Sequence, residues 1–591
     1  MTLQAFFDAL EKRLAELNAA EMRAILRRRA REIEPERREA FLHSLEPVPR
    51  VDAARLERLF VRTRDFVAEM REFSLRLEEA DYPVDPFPAD PAEPPLPYAA
   101  KAREFAALLT ETGLCFEGGR RTDVRPVYEE LFQVFTLSDL LGGGIRPAHV
   151  APLPVEARSR WMRAVYEDAR PERRALSMME ALRWSVEKIT ARPRPRLADL
   201  LEAHPEPPPD WEPFLEAFAE LSGRESGDAA ADAWHREAVR LRHGIDGLRR
   251  LCREAGAARP RVWLDLAMEL DRAGEAEEAL SASRDGLARL PAGLPLRTAL
   301  ADVMARSAAK LNRLEWLPEA RWEAFAARPV LRRLLDLLET APAGDERRAC
   351  LLKAIQHLTL SLKEEEPRGA GPSEPWEEDG ADDAVSVSPV LVAHARLLAG
   401  KWDQALREVA DLPVLGWSRE SVAQAVAVQG VAALLHGDPD NGSANLRQVW
   451  MAALRARGVL EAETDPFLLT ERLREHYTVQ LTEFRFTPQE RDDLAELCRA
   501  ICQRRIDSVV KHKHRRAYGK AARLACALVE MLAAGGWPHR ATAFLHHCEH
   551  AHARRTDFQA ELANARDELE SVVHLDTVEA SEERSRSRRR R

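Results

Sequence analysis

Apolar residues recur along this chain at three- and four-residue steps. Near the start, Leu3, Phe6, Phe7, Leu10, Leu14 and Leu17 fall on one stripe of a helix. Asn18 and Glu21 form a capping pair for a second helix carrying Met22, Ile25 and Leu26. Pro35 opens a third with Phe41, Leu42 and Leu45. Leu56, Leu59, Phe60, Phe66, Val67, Met70, Phe73 and Leu77 trace a long fourth. The same period returns around Phe105 and Leu109, from Val127 to Phe135, and in a helix pair carrying Trp161, Ala164, Val165 and Tyr166, then Leu176, Met179, Ala181 and Leu182. No stretch alternates apolar and polar residues in the manner of a half-buried strand, and Val/Ile/Thr-rich runs are absent. The predicted fold class is all-α.

One segment carries more than periodicity. Pro260–Gly293 reads PRVWLDLAMELDRAGEAEEALSASRDGLARLPAG. Trp263, Leu266, Ala267 and Leu270 mark a first helix that Gly274 ends; Ala276, Ala279, Leu280, Ser283, Gly286 and Leu287 mark a second, and Pro291 closes the unit. Residue types and spacing match the tetratricopeptide pattern. Small residues stand where two helices must cross closely. A single unit cannot bury its own apolar face and must stack on neighbours. Leu296, Leu300, Ala301 and Met304 continue the register, HARLLAGKWDQALREV repeats the turn and second helix around Gly400, and further echoes stand at Gly430–Ala444 and Gly535-Gly536-Trp537. The expectation is a tetratricopeptide-like helical-repeat solenoid in two or more blocks.

Composition shifts divide the chain. Seven prolines between Tyr82 and Pro97 cannot remain helical. Glu364–Ser388 is acidic, Gly/Pro-rich and nearly devoid of aliphatic residues, with Trp376 its one large apolar side chain, and reads as a spacer. The expected organisation is an N-terminal helical region (1–80), a Pro-rich linker (81–97), a helical-pair region (98–210), a tetratricopeptide-like block (211–363), an acidic disordered linker (364–388), a C-terminal tetratricopeptide-like block (389–575) and a basic disordered tail (576–591).

The formal net charge of −10 argues against overall nucleic-acid-binding character. Seven scattered cysteines argue against a disulfide framework and for a reducing, cytoplasmic setting. Asp8 and Glu11 sit where a secretory leader would be apolar, and no apolar run reaches membrane-spanning length. Metalloprotease, hydrolase, phosphate-loop and kinase signatures are missing, so no catalytic residue, cofactor or metal ligand is predicted. The triple glycine at 142–144 lacks the flanking strand and Lys-Ser/Thr of a phosphate cradle and reads as a loop. The aromatics Trp316, Trp322 and Phe325 read as core packing. Cys498 and Cys502 sit on an apolar stripe with Leu494, Leu497 and Ile501, where cysteine serves as a small core residue; with His546, His547, Cys548, His550 and His552 they offer no recognised zinc spacing.

Charge is concentrated in one place. Between Arg499 and Arg523 stand nine Lys/Arg and only Asp507 as an acid, and the chain ends in SRSRRRR. Such clusters neutralise phosphates. In the same block, His514-Arg515-Arg516-Ala517-Tyr518 with Ala521-Ala522, a following helix pair, and Arg555 to Leu562 (RTDFQAEL) resemble the helical region that accompanies bacterial SWIM-type zinc-finger proteins. The finger itself needs Cys-x-Cys, which is absent here; Cys548-Glu549-His550 supplies only a Cys-x-His. The resemblance implies a helical companion region in a multi-protein system or near nucleic acid.

Two functions are therefore expected. The first is a non-enzymatic scaffold that binds a protein partner on a concave face, with Arg261, Asp265, Glu269 and Arg272 lying off the packing positions as candidate contacts. The alternative is a nucleic-acid-associated protein using Arg504, Arg505, Lys511, Lys513, Arg515, Arg516 and Lys520 together with the Arg588–Arg591 tail.

Overall fold

The structure, a computed structural model, describes residues 3–33, 51–79, 98–140, 145–189, 193–225, 227–342, 344–365, 386–415, 417, 422–458, 464–483 and 486–570. The helix expected at Pro35, the Pro-rich stretch, the triple glycine, most of the acidic stretch and the basic tail lie outside the described residues. Among the described residues there are 25 α-helices and no strand. None of these helices is long and apolar enough to cross a membrane.

The helices divide into two compact units, one reaching Glu269 and the other beginning at Leu270. The first contains α1 (Leu3–Ala15), α2 (Ala19–Glu32), α3 (Ala53–Glu79), α4 (Ala99–Glu117), α5 (Arg125–Leu140), α6 (Leu153–Asp168), α7 (Arg174–Lys188), α8 (Ala198–Glu202), α9 (Trp211–Gly223) and α10 (Ala229–Ala255). The division falls inside α11 (Arg261–Ala273). The capping pair expected before α2 is present: Asn18 Oδ1 accepts from the amide N–H groups of Ala20 and Glu21, and Glu21 accepts from the Asn18 N–H.

The core of this unit is aromatic. Phe105 meets Phe135 edge-on with centroids 5.3 Å apart, Trp161 lies 6.0 Å from Phe132, and Tyr166 lies 4.9 Å from Phe214. Leu176, expected on the apolar stripe of α7, is instead 44% exposed. Met178, Met179, Leu182 and Ser185 define the buried face, and two residues of helical rotation put Leu176 on the other side. The wholly buried Arg163 ties α6 to α8: its guanidinium donates to Glu167 at 2.6 Å and to the Leu200 carbonyl at 3.3 Å.

The second unit contains α12 (Ala276–Arg289), α13 (Leu296–Lys310), α14 (Leu317–Ala327), α15 (Leu331–Thr340), α16 (Asp345–Glu365), α17 (Pro389–Leu398), α18 (Trp402–Ala410), α19 (Ala423–His436), α20 (Ala444–Arg455), α21 (Pro466–Glu483), α22 (Pro488–Lys511), α23 (Tyr518–Ala534), α24 (Pro538–Ala551) and α25 (Thr556–Glu570). Its core runs continuously from Phe325 to Leu569. Helix α23 is apolar around most of its circumference and packs against α19, α20, α22, α24 and α25, as such a helix must. Of the aromatics in α14 and the turn before it, Phe325 is buried, whereas Trp316 and Trp322 are half-buried and covered by the cations of Arg284 and Lys353, each 3.6 Å from a ring centroid.

One turn recurs. At Gly274 the backbone is left-handed (φ 83°) and the Glu275 N–H reaches back to the Leu270 carbonyl at 2.9 Å, a bond spanning six residues that closes a helix C-terminus. The same geometry appears at Gly400, where Lys401 bonds to Arg396, and at Gly536, where Trp537 bonds to Leu532, both at 2.9 Å. Five residues after each glycine a small side chain is buried: Ala279, Ala405 and Ala541. Around Gly274 the positions marked in the sequence are buried as expected, from Trp263, Leu266, Ala267 and Leu270 to Ala279, Leu280, Ser283, Gly286 and Leu287, with Ala276 half-buried. A methyl group at Gly274 meets no neighbour. Gly274→Ala therefore strains the backbone alone and will destabilise the unit by about 1 kcal/mol, read as a lower denaturant midpoint. An unchanged midpoint would mean that the turn does not hold this conformation.

Candidate anion-binding cleft

Helical spacing brings Gln448, Ala452 and Arg455 to one face of α20, Ala425 and Gln429 to one face of α19, and Lys520, Ala521, Arg523 and Leu524 to the cleft from α23. With Trp417 and with Arg505 from α22, these residues line a cleft of about 320 Å³. Four cations, Arg455, Arg505, Lys520 and Arg523, line it, and among the described residues no Asp or Glu does.

The walls are positioned by buried polar contacts. Ser443 caps α20, accepting from the Leu446 N–H at 3.3 Å, and is itself gripped by the buried carboxylate of Glu530 on α23: the Ser443 N–H donates to Oε1 at 2.8 Å and its hydroxyl to Oε2 at 2.5 Å. Asn445 donates to the Ala565 carbonyl at 2.7 Å. These bonds set the start of α20 against α23 and α25, and so aim Gln448 and Arg455 at the cleft. The loop after α18 is held by Gln424, which donates to the carbonyls of Val409 (2.7 Å) and Leu412 (3.1 Å) and accepts from the Trp417 indole N–H (2.9 Å).

Arg505 is the buried member of the set, 5% exposed. It donates to the Val414 carbonyl at 2.5 Å and lies 5.2 Å from the Trp417 ring centroid. Burial pulls its pKa downward, with no carboxylate opposing that effect. An anion entering the cleft would compensate this desolvated charge. Arg523 donates to the Gly519 carbonyl at 3.1 Å and to Gln448 Oε1, which orients its guanidinium along the wall.

The basic residues singled out in the sequence separate into three groups. Arg505 and Lys520 meet in the cleft. Arg504, exposed, donates to the Ala410 carbonyl at 2.5 Å and fastens the loop. Lys511, Lys513, Arg515 and Arg516 are exposed around the turn between α22 and α23, with Arg515 3.5 Å from Asp557. Arg455, Gln448, Gln429 and Trp417 were not anticipated: they stand 44 to 82 residues before Arg499, where the basic run begins, and only helix packing brings them to it.

The four residues expected to face a partner on α11 behave differently. Asp265 accepts from Arg236 Nε at 2.6 Å, and Glu269 pairs with Arg240 at 3.4 Å, so both tie α11 to α10. Arg261 is half-buried and Arg272 exposed. Cys498, Cys502 and Cys548 are buried core residues. His552 and His547 approach Asp507 at 2.9 and 3.6 Å. Among the described residues no group of three or more His, Cys, Asp or Glu is placed to hold a metal ion. No protein-family model matches this chain, and no curated protein shows significant similarity to it.

Proposed function

We propose that this chain is a non-enzymatic, tetratricopeptide-like helical-repeat adaptor whose C-terminal unit grips an acidic segment of a partner protein in the cationic cleft. The observation that carries this reading is a cleft lined, among the described residues, by four cations and no carboxylate, one of the cations a buried arginine whose pKa burial alone pulls down. Charge-assisted hydrogen bonds from guanidinium groups are the strong, directional contacts by which carboxylates are recognised. The recurrence of one helix-closing turn at Gly274, Gly400 and Gly536, each followed by a buried alanine, supports the repeat reading. The stretch that resembles the SWIM-associated helical region includes Lys520 and Arg523 of the cleft and follows directly on the helix that carries Arg505, which agrees with a companion role.

Titrating the full chain into a fluorescein-labelled deca-glutamate peptide tests the reading by anisotropy. Saturable binding that weakens as salt is raised is the expected result; a flat titration at low salt removes the proposal. A second reading, nucleic-acid binding, is favoured by the exposed cations Lys511, Lys513 and Arg516 at the α22–α23 turn. It predicts that a labelled oligouridine binds and that Lys511→Glu with Lys513→Glu weakens this binding while leaving the peptide bound.

A further inference from the structure

The first unit holds a separate cleft of about 610 Å³, between α3, α5, α6 and α7, within the size range of small-molecule sites. Its floor is a tryptophan pair, Trp161 and Trp184, with centroids 4.8 Å apart at 44°. Trp161 is buried and Trp184 half-buried. The surrounding wall is polar and of both signs, with Arg71, Arg125 and Lys188 facing Glu129 and Glu180, and Gln133, Thr136 and Ser177 adding amide and hydroxyl groups.

Two of the wall's cations already have carboxylate partners. Arg125 donates to Glu129 Oε1 at 2.8 Å and to Asp168 at 2.9 Å, and Lys188 pairs with Glu187 at 2.5 Å. The Trp161 indole N–H also points to Glu129 Oε1, at 3.4 Å, so the carboxylate is held from two sides; its Oε2 has no partner among the described residues. An anionic ligand would meet Glu129 and Glu180, a cationic one would meet three cations, and an apolar helix would desolvate the polar wall without replacing its hydrogen bonds. A hydroxyl group both donates and accepts, and so can serve a carboxylate oxygen and a guanidinium or amide at the same time. The negative faces of tryptophan rings attract the weakly positive C–H face of a polyol ring.

We propose that this cleft binds a neutral, hydroxyl-rich ring, the chemistry of a saccharide, with Trp184 as the stacking platform and Glu129 and Glu180 as hydroxyl acceptors. The inference is independent of the cationic cleft in the second unit.

Saturation-transfer NMR on the full chain with cellobiose, maltose and sucrose tests it, with tyrosine and glucose 6-phosphate as zwitterionic and anionic probes. The expected result is transfer to the ring C–H protons of at least one disaccharide, loss of that transfer in Trp184→Ala, and about fivefold weaker binding in Glu180→Gln, from one lost charge-assisted hydrogen bond. Glu180 is exposed on α7, so its variant still tests the site should Trp184→Ala fail to fold. Absence of transfer to every disaccharide, transfer to tyrosine or glucose 6-phosphate alone, or sugar binding unaffected by the folded variants would each overturn the proposal.

Discussion

Replacing Lys520 and Arg523 together by glutamate will lower the affinity of the full chain for the acidic peptide about a hundredfold, equivalent to about 2.7 kcal/mol. Both side chains line the cleft from the solvent side of α23, where Lys520 is exposed and Arg523 half-buried. Neither change removes apolar packing. Arg523 gives up only its bonds to Gln448 and the Gly519 carbonyl, so the helical spectrum should be preserved. Each substitution removes a donor and adds a repulsive charge opposite the bound carboxylates, which makes the effect larger than that of alanine. Arg505 is the poorer probe, because its guanidinium also supports Val414, and its loss would loosen the loop as well as the site. An undiminished affinity in the folded double variant would remove the cleft from the binding mechanism. The change should shrink as salt rises, since two of the cations concerned are reachable by solvent ions.

The second large effect concerns stability. His394 is wholly buried on α17; its Nε2–H donates to the Ala456 carbonyl at 2.7 Å, and the Tyr477 hydroxyl donates to Nδ1 at 2.8 Å. A carbonyl can only accept, which fixes the neutral tautomer. His394→Leu strands both partners in the core and will destabilise the second unit by about 3 kcal/mol, measured as a shift in denaturant midpoint. The histidine also makes the wild type acid-sensitive. Burial lowers its pKa from 6.5 to about 4. Between those values the unfolded chain binds a proton that the folded chain refuses, so stability is full above pH 6.5 and falls as the pH drops toward 4. The loss is of order 3 kcal/mol for that shift. In His394→Leu this segment of the pH profile flattens. A variant with the same slope as the wild type between those pH values would assign the acid sensitivity to other groups.

The helices themselves were readable from the chain because their causes are local. Apolar steps of three and four, the Asn18–Glu21 capping pair and the helix-ending glycine at 274 act within one or two turns of backbone; the capping pair and the helix end appear in the structure as expected, the latter with Gly274 in the left-handed region. Burial of Trp263, Ala267, Leu280 and Leu287 followed from the same periodicity. Leu176 did not, because its helix buries a face set by Met178 and Leu182, and periodicity alone does not say which apolar residue a helix can spare.

The candidate sites divide along the same line. Arg505 and Lys520 were visible as members of a basic run, but the run's linear density said nothing of direction. The structure turns some cations outward at Lys511–Arg516, commits Arg504 to a carbonyl, and sends Arg505 and Lys520 into a cleft with Arg455. Asp265 and Glu269 looked available from their helix positions, yet arginines on the preceding helix claim them.

Local sequence thus determined that this protein is built of helices, where many of them end and, around Gly274, which positions they bury, since those outcomes depend on backbone torsion and on the hydrophobicity of residues a few positions apart. Tertiary packing alone decided which cations gather in one cleft, which tryptophans form a floor and which buried histidine stays neutral. Those properties arise between residues tens of positions apart, whose proximity no local rule encodes.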